Sequence, residues 1–166
     1  MSEDRFKAGS DGLLVATFLL GDAVFGIAAE HVQEVAKVGD ITRVQHAPED
    51  VVGIRNLRGR IVTVLDLRAR LRLGRVAARP DNRILIVDCQ NEPVGLLVDS
   101  VADAIIIRPE GLTPPPPNLH GVQGRNLRGV CWGEGRLVAL LDHDALLQLE
   151  PAGNALSQME RAAPCA

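Results

Sequence analysis

The sequence predicts an all-β chain of two five-stranded barrels, and three observations carry that prediction. Its apolar residues come in short runs, turn residues part the runs, and the order of runs is used twice along the chain. The runs are LLVATFLL, AVFGIAA, VQEVAKV, VGIRNL and RIVTVLD, then RILIVD, PVGLLVD, VADAIIIR, LRGVCW and RLVALLD. They are rich in Val, Ile and Leu and are bounded by Gly, Pro, Asn or Asp, which favours strands over helices. Five short strands per half would leave open edges, and closure into a small barrel removes them.

The repeat has two registers. At an offset of 76, Gly53, Gly59, Arg60, Val62, Leu65, Asp66, Ala69 and Leu71 fall on Gly129, Gly135, Arg136, Val138, Leu141, Asp142, Ala145 and Leu147. Upstream the offset is 69, which lays VFGIAAEHVQEV (24–35) over PVGLLVDSVADA (93–104), with Gly26 on Gly95 and Glu34 on Asp103. The second half carries the seven-residue difference around PEGLTPPPPNLHG, too rich in proline for the interior of a helix or sheet and suited to an extended surface loop. The two units are therefore expected at about 13–75 and 80–149, inside one domain spanning 13–149, with tails at 1–12 and 150–166. DLRARL and DHDALLQL each open on an Asp at an N-cap position and continue with leucines at helical spacing, so each unit is expected to end in a short helix.

Composition bounds the function. The 166 residues are 46% apolar, enough to fill a core, but only 2% aromatic (Phe6, Phe18, Phe25 and Trp132). An aliphatic core follows, with few rings left to stack bases or sugars. A net charge of -3 gives no general pull on polyanions. Cys89, Cys131 and Cys165 are odd in number and form no CxxC, which argues against a disulfide framework or thiolate zinc and fits a reducing cytoplasm. No apolar stretch approaches the roughly 18 residues of a membrane span, and the acidic start does not read as a leader.

Five groups of residues could carry chemistry. VGIRNL and RIVTVL as antiparallel neighbours place Arg58 and Gly59 in a hairpin turn, with Glu134 and Gly135 in the second unit, so matching tips carry opposite charge. That inversion suits heterologous contacts between copies or partners; charged tips that serve only solubility are the alternative. Arg55, Arg58, Arg60, Arg68, Arg70, Arg72 and Arg75 surround the single acid Asp66 and could meet phosphates, yet no aromatic residue or Gly-rich cradle accompanies them. Asp66 and Asp142, one per unit, pose the question of an aspartyl dyad; neither is followed by Thr or Ser and then Gly, and helix capping explains both. His31, His46, His120 and His143 form no HxxxH or HxH pair, and DHD at 142–144 is a poor metal chelate, so no metal is expected. Cys131 in an apolar strand reads as buried and inert, and Ser10, Ser100 and Ser157 lack a GxSxG setting. No cofactor site is expected.

FLLGDAVFGIAAEHVQEV, then ITRVQHAPEDVVGIRNLRGRIVTVLDLRARL, NRILIVD, PVGLLVDSVADA and GEGRLVALLDHDALL, in that order and spacing, resemble the CheW family of chemotaxis coupling proteins over about 15–149. VQEV, GIRNLRG and the IVxVLDLR segment are the most specific pieces. The resemblance implies a non-enzymatic adapter of two five-stranded SH3-like barrels about a common hydrophobic core. It implies docking on the regulatory domain of the histidine kinase CheA and on the cytoplasmic tip of a chemoreceptor, with self-association in signalling arrays, a cytoplasmic location and recruitment to membrane-associated receptors. It further implies that Arg58 of NLRG and Glu34 of VQE contact partners, with Val32, Arg55, Asn56, Leu57 and Gly59 beside them; Glu34 could instead pair with Arg58 across the first barrel, and the sequence leaves both open. Arg55, Thr63 and Gln45 depart from residues frequent in the family, and Arg55 makes the region more basic. The output served, flagellar, pilus or other, is left open; an aspartyl hydrolase and a nucleic-acid barrel are the distant alternatives.

Overall fold

The computed structural model describes residues 12–115 and 122–148. The predicted tails except Gly12, and residues 116–121 of the predicted loop with His120, lie outside the described residues. Among the described residues eleven strands form: β1 Leu13–Leu20, β2 Ala23–Ala28, β3 Val32–Lys37, β4 Val51–Leu57, β5 Arg60–Asp66, β6 Arg83–Cys89, β7 Glu92–Val98, β8 Ser100–Val101, β9 Ile105–Ile107, β10 Leu127–Gly133 and β11 Arg136–Leu141. Three short helices accompany them, α1 Leu67–Arg70, α2 Val122–Arg125 and α3 His143–Leu147, with 3-10 turns at Ala29–His31 and Pro109–Gly111. None of these helices is long and apolar enough to cross a membrane.

Ten strands are expected and eleven appear because VADAIIIR breaks in two. The Thr17 hydroxyl donates to the Asp103 carbonyl at 2.5 Å, and the Ala102 amide donates to the Thr17 carbonyl. These bonds divert the backbone between β8 and β9, both of which pair with β1.

The strands form a six-stranded sheet, ordered β10-β11-β2-β1-β8 with β9 also on β1, and a five-stranded sheet, ordered β3-β6-β7-β5-β4. Here the structure corrects the expected boundary at 75–80. β1 and β2 come from the first unit and pair with strands of the second, while β6 and β7 come from the second and pair with β3, β4 and β5 of the first. Each barrel thus takes its opening hairpin from the other unit. The repeat survives this exchange in register: β5 and β7 align Val64 with Gly95, and β11 and β2 align Leu140 with Gly26, both in parallel.

Matching residues do matching work. A Cβ on Gly26 would stand 2.5 Å from Val15, and one on Gly95 2.6 Å from Ile84, so at both matching positions a glycine makes room for a side chain of the antiparallel neighbour. Thr42 exchanges two backbone bonds of 2.8 Å with Ile54, and Thr113 does the same with Val130.

Alternation sorts the side chains into three cores. Leu13, Val15, Val24, Ile107, Cys131, Val138 and Leu140 fill the six-stranded barrel. Val62, Val64, Ile84, Ile86 and Leu97 fill the other. Between the barrels lies the largest cluster, which includes Phe18, Phe25, Ile27, Leu67, Leu85, Leu96, Leu141 and Leu146. Phe18 and Phe25 stack there with centroids 6.4 Å apart.

Candidate functional site

The β4–β5 hairpin turns through Arg58 at φ +52° and Gly59 at φ +85°, the two positive values a type I′ turn needs. Leu57 pairs with Arg60, and the Asn56 side-chain oxygen accepts the Gly59 amide at 2.8 Å, which fixes the tip. β4 is one end of its sheet and β3 the other, so curling the sheet brings these edges together.

Arginines close the seam. The Arg58 guanidinium donates to the Glu34 carboxylate on β3, and the Arg55 guanidinium donates to the Lys37 carbonyl at the end of β3. Arg55 also lies flat against Gly39, where a Cβ would fall 2.8 Å from its nitrogen. The Arg58 side chain is 74% exposed and that of Glu34 28%, so the pair sits at the surface. A pair so placed contributes about 0–1 kcal/mol. Its consequence is orientation: the cation on a stiff tip is held beside an anion on the neighbouring strand, and Val35 on β3 and Ile61 on β5 are exposed apolar residues.

Of the seven residues singled out in the sequence, the fold gathers Glu34, Arg55, Asn56, Arg58 and Gly59 along this seam. Val32 is half-buried against the core between the barrels, and Leu57 against the core of the five-stranded barrel. The two positions that sequence reasoning missed, Lys37 and Gly39, serve through a carbonyl and an absent side chain, for which residue type gives no signal.

The matching tip in the other barrel is Glu134 at φ +52° and Gly135 at φ +78°. Asp103 stands where Glu34 does in the repeat, so two acids replace the acid and base. In place of Asn56 and Ile61 this hairpin pairs Trp132 with Leu137, 74% and 51% exposed.

The other candidates resolve structurally. The Asp66 carboxylate accepts the Ala69 amide at 3.1 Å and the Val76 amide at 2.9 Å, and Asp142 accepts Ala145 at 3.1 Å. Both cap helices. Arg68 bonds the Leu73 carbonyl and faces Asp99; Arg70 bonds Asp50 and the carbonyls of Leu146 and Gln148. With Arg55 and Arg58, four arginines of the cluster are thus engaged by their own chain, and Arg60, Arg72 and Arg75 are the exposed remainder. Cys131 is buried, which pushes its thiol pKa up and leaves it a packing residue. Among the described residues no three His, Cys, Asp or Glu side chains are grouped to hold a metal.

Residues 14–150 match the model of the CheW-like domain family. The chemotaxis protein CheW of Rhizobium meliloti (strain 1021) is 33% identical over 141 residues, covering 84% of this chain and 90% of the relative. Protein FrzA of Myxococcus xanthus is 31% identical over 134 residues, covering 79% and 82%. Among solved structures, the scaffolding protein TtCheW of Thermoanaerobacter tengcongensis superposes with a TM-score of 0.76 at 29% identity, covering 84% of this chain and 90% of that one.

Proposed function

The chain belongs to the CheW-like domain family, a family of chemotaxis scaffolds, and from that membership we propose that it is a non-enzymatic adapter coupling chemoreceptors to a CheA-type histidine kinase. The observation that carries this reading is the β3–β4 seam, where Arg58 stands exposed on a rigid hairpin and binds the half-buried Glu34 of β3. A charged tip held by a type I′ turn presents the same geometry to every partner, so little ordering entropy is lost on docking. Arg55, Asn56 and Gly59 hold the tip in place, while Val32 and Leu57 tie its strands to the cores. By holding the kinase regulatory domain against the receptor tip, the adapter would pass a change in receptor shape to kinase activity through shared contacts. It would act in the cytoplasm at membrane-associated receptor arrays and there associate with further copies of itself.

The test is a pull-down from lysate of the source cells with the full chain as bait, run beside Arg58→Glu. The native chain should recover a histidine kinase and a receptor together. The variant, which sets a carboxylate against Glu34, should recover at least one of them several-fold less while melting as the native chain does. Equal recovery by both would move the docking site elsewhere; recovery of neither partner by the native chain would end the reading.

The likeness to FrzA favours a second output for the same adapter role, through pili or another non-flagellar system. A deletion strain that swims normally in soft agar but fails to spread on a surface would assign that output.

A further inference from the structure

Two imidazoles meet where the barrels join. The Ala29–His31 turn carries the chain from β2 in one sheet to β3 in the other, and His143 opens α3 directly after β11. Their rings stack with centroids 3.9 Å apart and planes 8° from parallel. His143 also spans the junction by itself: its Nε2 lies 2.7 Å from the carbonyl oxygen of Asp88 on β6.

The hydrogen bonds dictate protons. A carbonyl only accepts, so Nε2 of His143 must donate. Its Nδ1 lies 3.2 Å from the carboxylate of Asp144, which also only accepts. A neutral ring satisfies one of these contacts; the imidazolium satisfies both. A charged ring stacks well on a neutral one, whereas two charged rings at this distance repel. The groups around His31 are Glu30 on its own turn, 3.9 Å from its Nε2, His143 and Asp144 from α3, and Arg128 from β10. Burial, the neighbouring His143 and Arg128 hold the His31 pKa below its ordinary value, and Glu30 and Asp144 only partly offset them.

We propose that His31 and His143 form a proton-sensitive clasp between the barrels, closed while at most one ring is charged and opened when both are, so that acidification shifts the start of β3. Val32 follows His31 directly and Glu34 stands two residues further along β3, so the clasp bears on the seam described above. The consequence for docking rests on the adapter reading; the clasp itself does not, and its test uses the isolated chain.

The sign follows from proton linkage. With its pKa lowered in the folded state, His31 takes up a proton first in the unfolded chain. Stability therefore falls as pH drops from about 6.5 toward the folded midpoint and levels off below it. The experiment is imidazole and amide NMR of the full chain between about pH 8 and about pH 5, the range in which histidine charges. His31 should titrate below its ordinary midpoint, with the amides of Val32 and Glu34 following the same curve. In His143→Gln, which can still donate to the Asp88 carbonyl but carries no charge, the His31 midpoint should move up. A second measurement compares melting temperatures with His31→Phe, a flat ring that never charges, which should lose less stability on acidification than the native chain. A native His31 midpoint at or above the ordinary value overturns the clasp, as do β3 amides that ignore it or an unmoved midpoint in His143→Gln.

Discussion

At the scale of single residues, the two helix-capping aspartates show how one motif acquires different weight from its surroundings. Asp142 is half-buried and caps α3, whereas Asp66 is buried and binds a second amide, that of Val76, ten residues on. Removing a cap costs about 1 kcal/mol, and losing a further hydrogen bond about 0.5–1.5 kcal/mol more. Asp66→Ala should therefore destabilise the chain more than Asp142→Ala in urea unfolding, and equal losses would show that the Val76 bond contributes nothing. Arg58 lies at the other extreme. Its side chain is mostly solvated, so Arg58→Glu should shift the unfolding midpoint by no more than about 1 kcal/mol of stability while acting on partner recovery. Both capping roles and the Arg58 turn were legible from residue type and spacing, because caps and I′ turns are local. The Arg58–Glu34 contact was one of two readings the sequence left open, a pair with each other or with a partner, because 24 residues separate the two side chains and only the curl of the sheet joins them.

At the scale of elements, the strands follow the apolar runs because alternation and β-branched content act over a few residues. β1 and β5 coincide with LLVATFLL and RIVTVLD, and the helices start at the predicted caps. The error at VADAIIIR came from Thr17, a residue of another strand whose hydroxyl claims a backbone carbonyl. The β4 edge offers a sharp test of packing. Gly53 has φ +156°, and a Cβ there would stand 2.2 Å from the Thr42 carbonyl oxygen, a backbone atom that cannot rotate away. Gly53→Ala should cost about 1–3 kcal/mol by overpacking and detach the 42 to 54 bridge, read as faster hydrogen exchange at Thr42 and Ile54. Gly59→Ala is the control for crowding, since nothing lies within 4 Å of its added Cβ; only its positive φ resists the change.

At the scale of the whole molecule, strand exchange makes the barrels inseparable. Each contains a hairpin from the other sequence unit, and the largest apolar cluster lies between them. The chain should therefore unfold in one transition, with calorimetric and van't Hoff enthalpies equal. Cutting the connection between α1 and β6 should yield two fragments that are each unfolded alone yet regain strand-type circular dichroism when mixed. A fragment that folds by itself would show that the barrels are independent.

The sequence by itself determined that the chain is duplicated, all-β and aliphatic, where its strands and caps lie, and which family it resembles. Those properties depend on periodicity and local backbone chemistry, which act over a few residues. Only the tertiary structure decided that the units exchange their first hairpins, because an exchanged and an unexchanged arrangement bury the same alternating faces. It also decided that Arg55 and Arg58 close the seam on β3 and that His31 meets His143, contacts between distant segments that exist only once the sheets have curled and packed.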